Sequence, residues 1–198
     1  MTIATTDTAP RIWVACLHCY NSGRLVGDWF DAPEAESIDL AAVHAGSGSL
    51  SVGCEELWVM DHENIPVPGE MGLAEAAEWG EIYEEVGETL WPALFAWVES
   101  GNYTSVGNCL PSTLDFEERY CGQWESFDDF AAQLAEDTGL MDGWPEEAQR
   151  YFNWESWTRD LLFDHTVIPA PDGGVVEFRF NVQPRGSRRP NSARDSQS

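Results

Sequence analysis

The sequence predicts an α+β fold, laid out as an elongated chain of three small modules with a disordered basic C-terminal tail. Three observations predict it. Strand-like runs (RIWVACLH, GDWFD, ELWVMD) open the chain, helix formers fill its middle, and strands and helices mix again toward its end. Two Pro/Gly-rich breaks, 64–72 and 101–112, interrupt it. Charge is also lopsided along it: 35 acids oppose ten arginines, lysine is absent, and the net charge is −25.

Residues 1–10 are Thr-rich and expected to fray. The run 11–18 packs Ile12 and Val14 into a strand, 21–23 signals a turn, and 27–31 resumes with Trp29 and Phe30 as a second strand. A helix is expected over 33–45, with Pro33 near its first turn and Glu34, Glu36 and Asp39 where the helix dipole favours acids. A Gly/Ser loop, 46–53, leads to a third strand at 56–61, which completes an N-terminal α+β module at 10–66.

Helix formers dominate 73–100, and Gly80, Gly87 and Pro92 are read as punctuation into short helices. This acidic module, 67–108, has a helical part too small to close a core alone, so it must lean on its neighbours. The C-terminal α+β module, 109–182, is expected to run as a helix (114–120), a short strand (123–125) and a helix over 127–136 capped by Ser126 and ended by Gly139. One or two helices follow over 145–163, with Tyr151, Trp154, Trp157, Leu161 and Leu162 at helical spacing. A hairpin of 165–168 and 175–180 turns at 171–174. The tail, 183–198, holds Arg185, Arg188, Arg189 and Arg194 and reads as disordered, either a solvated end or a latch onto the acidic body.

Between Arg24 and Arg119, 94 residues carry 20 carboxylates and no lysine or arginine. Glu75, Glu78 and Glu81 are three apart, while Glu81 with Glu85 and Glu84 with Glu88 are four apart. Such like-charge neighbours on a helix cost about 0.2–0.5 kcal/mol each. The candidate surface comprises Glu70, Glu75, Glu78, Glu81, Glu84, Glu85 and Glu88, extended by Asp115, Glu117, Glu118, Asp128 and Asp129. It is open to three readings: a solvated helix face, adaptation to high salt, or a surface shaped like a polyanion. Over 28–164, 31 acids oppose only Arg119, Arg150 and Arg159. That field repels nucleic acid and anionic membrane and attracts basic proteins. With one charge per roughly 1.7 Å of B-DNA axis, it matches roughly 48 Å of duplex.

The first ten residues lack the basic start and apolar core of a secretory signal, and the longest apolar runs are far too short to cross a bilayer. Five cysteines, an odd number, suit a reducing compartment, so a cytoplasmic location is expected. Cys16 and Cys19 have CxxC spacing, yet a zinc site needs four convergent ligands, and no second CxxC or HxxxH is present. Cys54, Cys109 and Cys121 are scattered, and the pair is placed at a strand end, which favours core cysteines. His18, His44, His62 and His165 lie far apart, and no GxSxG or HExxH frames them. Trp79, Trp91 and Trp97 read as core. No catalysis, cofactor or metal is expected.

The run RIWVACLHCYNSGRLVGDWFDA (11–32) resembles the opening of the ArdA-type antirestriction proteins through Tyr20, Asn21, Gly23, Gly27, Trp29 and Asp31. ELWVMDHENIP (56–66), RYCGQWESFDDFA (119–131) and PEEAQRYFNWESWTRDL (145–161) extend the likeness over about 11–180. The resemblance implies an elongated, three-module acidic protein that mimics B-form DNA, occupies the DNA groove of type I restriction-modification enzymes and is carried by mobile elements. It also implies a homodimer through the C-terminal module, where Tyr151, Trp154 and Trp157 are the candidate interface. The family's antirestriction segment is similar to 145–160, with Asn153 where an acid is common and Trp154 in place of the usual tyrosine. An acidic adaptor or chaperone for a basic cellular protein is the alternative, and an enzyme with a halophilic surface the third.

Overall fold

The computed structural model describes residues 8–47, 50, 52–107, 109–171 and 173–180. The expected basic tail (183–198) and most of the expected frayed start lie outside them. Strand β1 (Arg11–Cys16) is the centre of an antiparallel sheet, β2–β1–β3, with β2 spanning Gly27–Asp31 and β3 spanning Leu57–Glu63. Ile12 and Val14 are fully buried, as the alternation predicts. Gly27 is required at the start of β2, because an added Cβ would meet the Trp13 ring and the Val14 carbonyl.

Two expectations for this region are corrected. The first strand does not reach His18: it ends at Cys16, and Leu17–Asn21 coil into α1. The helix expected over 33–45 is two pieces, a 3-10 turn (Ala32–Ser37) and α2 (Leu40–His44). Asp39 separates them, because its side chain accepts a hydrogen bond from the Ala42 amide and caps a new start.

Helix α3 (Leu73–Val86) runs straight through Gly80, so that glycine is not a break. It is a point of close approach. A Cβ there would run into the backbone of Ala32 and Pro33, so only glycine lets α3 lie on the 3-10 turn. Gly87, at a φ of 81°, does end the helix, and Pro92 sits in the first turn of α4 (Trp91–Glu99), where a missing N–H is harmless. The break at 64–72 is packed rather than free: Met71 bridges to Val59, Ile65 is buried, and Trp91 Nε1 donates to the Asn64 carbonyl at 3.0 Å. The 101–112 loop contains a small hairpin that the sequence reading lacks, β4 (Ser105–Val106) with β5 (Leu110–Pro111).

In the C-terminal part, α5 (Thr113–Arg119) is capped by Ser112 and leads directly into β6 (Tyr120–Trp124), which starts earlier than expected. Helix α6 (Phe127–Asp137) has the predicted Ser126 cap, with the hydroxyl accepting from the Asp129 amide. Helices α7 (Glu146–Arg150) and α8 (Trp154–Leu161) follow, then β7 (His165–Pro169) and β8 (Val175–Arg179), in a sheet of order β6–β8–β7. A bulge between Tyr120 and Gly122 (φ 123°) turns the end of β6 over. Tyr120 therefore packs on Phe116 and Phe178, whereas Trp124 packs on Phe130 of α6.

Most of the buried apolar residues form one cluster that runs from Ile12 to Phe178, while Phe130, Ala131 and Ala135 of α6 are buried outside it. Trp79, Trp91 and Trp97 belong to it, as expected. Trp97 on α4 stacks on Phe178 of β8 at 5.5 Å and meets Phe116 of α5 at 5.6 Å, which ties the acidic helices to the C-terminal sheet. The middle helices thus lean on both neighbours.

Glu177, on the central strand β8, is fully buried and neither carboxyl oxygen has a hydrogen-bond partner. Burial raises its pKa from 4.5 to about 8. The folded state then binds a proton that the unfolded state releases above about pH 4.5, so this group's contribution favours folding fully in acid and is lost as pH rises to about 8. Glu177→Gln should remove that slope. The variant's advantage in urea melts should grow from little at pH 5 to on the order of a few kcal/mol at pH 8.5. A wild-type and variant difference that stays constant across this range would count against the account.

A candidate partner surface of unpaired carboxylates

Helix α3 buries Ala76, Ala77, Trp79 and Ile82 and so turns Glu81, Glu84 and Glu85 outward. Glu88 follows just past the helix end and is also exposed, as is Glu70 before its start. Glu75 and Glu78 are half-buried on the flank, and one oxygen of Glu78 is covered without a hydrogen-bond partner. On α5, Glu117 and Glu118 are exposed; on α6, Asp128 and Asp129 are exposed in the first turn.

Asp115 differs from the other candidates. It turns inward and pairs with Arg119 at 3.3 Å, the two side chains being 13% and 9% exposed. The Arg119 guanidinium also donates to the carbonyls of Arg179 and Asn102 and lies 5.3 Å over the Trp97 ring. Asp115 is thereby spent on holding the body together. Among the described residues the other ion pairs are Arg11–Asp31, Arg150–Glu146 and Arg159–Asp160. None of them touches the carboxylates of 70–88, so that charge is left to solvent or to a partner.

A model of the antirestriction protein (ArdA) family matches residues 12–176. The chain belongs to the ArdA antirestriction family. A search of curated proteins found no match. The match runs from the second residue of β1 to the second residue of β8 and takes in every helix between them.

Residues 145–160 hold α7 and all but the last residue of α8, and neither helix has a buried residue. Asn153 caps α8 by accepting from the Ser156 amide at 3.0 Å. Trp154 packs on Phe152 and Trp157 at 4.9 and 5.7 Å. Tyr151 is nevertheless 78% exposed and Phe163 77%, with Trp144, Trp154 and Leu162 also open to solvent. Among the described residues no helix is long and apolar enough to cross a membrane.

The structure also gathers residues that lie far apart in the sequence. Because α1 begins right after Cys16, Cys16 and Cys19 stand one turn apart and not along a strand. His44, at the end of α2, and Cys54, just before β3, join them. The reading of Cys54 as scattered is therefore corrected. The CxxC was the available signal, but its partners are 25 and 35 residues beyond Cys19, at spacings no short motif carries.

Proposed function

We propose that the protein inhibits type I restriction-modification enzymes by mimicking the charge and shape of B-form DNA and occupying their DNA-binding groove. The observation that carries this reading is the exposed, unpaired set Glu70, Glu81, Glu84, Glu85, Glu88, Glu117, Glu118, Asp128 and Asp129, presented from α3, α5, α6 and their edges. A groove built for phosphates binds such a surface by many weak contacts, and exposed charges facing it lose little desolvation energy. No step of chemistry is required, and the protein acts as a competitor rather than an enzyme. Its place of action is the cytoplasm, where incoming DNA of a mobile element meets the host enzyme.

Two copies associate through the aromatic face of Tyr151, Trp154 and Trp157. Burial of these rings offsets repulsion between two chains of net charge −25, so association strengthens as salt screens that repulsion. Sedimentation showing a monomer at high concentration and physiological salt would remove this part of the reading.

The deciding experiment is competition. A type I enzyme is titrated with the protein in the presence of increasing duplex DNA. Mutual exclusion, weakening with added salt, is expected. Simultaneous binding of protein and duplex would refute occupancy of the groove.

A further inference from the structure

Cys16, Cys19, His44 and Cys54 come from four points of the chain, and all four are buried. Their ligand atoms lie within 4.8 Å of one another, and the sulfurs of Cys19 and Cys54 are 3.8 Å apart. A tetrahedral thiolate centre with metal–sulfur bonds of about 2.3 Å has sulfur–sulfur edges of about 3.8 Å. We propose that these residues form a Cys3His site that binds one Zn2+ and staples α1, α2 and the start of β3 to the N-terminal sheet.

The surroundings fit the chemistry of such a centre. Zinc held by three thiolates and an imidazole carries a net charge of −1. Arg24 Nη2 donates to Cys19 Sγ at 3.4 Å, so one of the few cations of an acidic protein lies against that charge. His44 Nδ1 lies 3.3 Å from the Ser47 hydroxyl, a contact that orients the ring and assigns Nε2 as the ligand. Three sulfurs and a nitrogen with no oxygen ligand favour zinc over magnesium or calcium. A disulfide would use two of the sulfurs and leave the third thiol and the imidazole unexplained. The role is structural: four protein ligands close the coordination shell and leave no position for substrate. This site is independent of the proposed groove binding, and each can fail without the other.

The test uses the full chain, purified under reducing conditions, loaded with Zn2+ and dialysed against metal-free buffer. Elemental analysis should find about one zinc per chain. Loading with Co2+ in its place should give a thiolate-to-cobalt charge-transfer band and the intense ligand-field bands of a tetrahedral site. Stripping the metal with a strong chelator should lower the melting temperature by on the order of 10 °C. Cys19→Ser and Cys54→Ser should each lose the metal, while the double variant Cys109→Ser/Cys121→Ser should keep it. If the ligand variants fail to fold, the cobalt spectrum of the wild type decides. The proposal is overturned by a wild type that retains no metal, by an octahedral cobalt spectrum, or by metal lost with Cys109 and Cys121. A thiol titration that finds a disulfide among the four residues' cysteines in place of bound metal overturns it as well.

Discussion

Changing Glu81, Glu84, Glu85 and Glu88 together to glutamine should weaken binding to a type I restriction enzyme by about 1–4 kcal/mol, roughly five-fold to several hundred-fold. The four are exposed and carry no ion pair within the described residues, so each is free to face a basic groove. Each single change should be nearly silent, because one exposed pair is worth only about 0.2–1 kcal/mol. The block variant should melt no lower than wild type, since the change relieves like-charge neighbours along α3. Titration of the enzyme with both proteins, alongside thermal melts, checks all three points. Loss of inhibition on one conservative Glu→Gln change in a folded protein would mean a discrete site and end the distributed reading.

Trp97→Ala should be among the most damaging single changes in the body, lowering stability by about 3–5 kcal/mol. The ring is fully buried, stacked on Phe178 and packed against Phe116, and it lies beneath the Arg119 guanidinium. Its removal leaves a cavity where α4, α5 and β8 meet and takes the aromatic face from a cation already pinned by Asp115 and two carbonyls. In a chain of this size the melting temperature should fall by about 6–20 °C. Inhibition below the new transition should persist, because the carboxylates stay in place. A loss under about 1 kcal/mol would show that the middle helices do not depend on this contact.

Local signals were legible where one residue type has one dominant use. Gly27–Asp31 is a strand as the aromatic pair after a turn signal predicts, Ser126 caps α6, and the strands His165–Pro169 and Val175–Arg179 pair across their turn. They failed where a residue has two uses and only a distant neighbour chooses between them. Gly80 reads equally as a helix break or a close approach, and the backbone of Ala32 and Pro33, nearly fifty residues earlier, decides for the second. Tyr120 and Trp124 share a face by simple alternation, and the bulge at Gly122 separates them.

The sequence by itself determined the charge, the helical register of the glutamates and the family, because these depend only on residue types and short spacings. The tertiary structure alone decided which carboxylates are available. Asp115 and Glu118 are three apart on one short helix and so lie toward the same side, yet Asp115 is taken up by Arg119 and the core, while Glu118 faces water. It alone also decided that three cysteines and a histidine spread over 39 positions converge. Pairing and coordination fall off steeply with distance, and distances between remote residues are set by how the chain packs, not by its order.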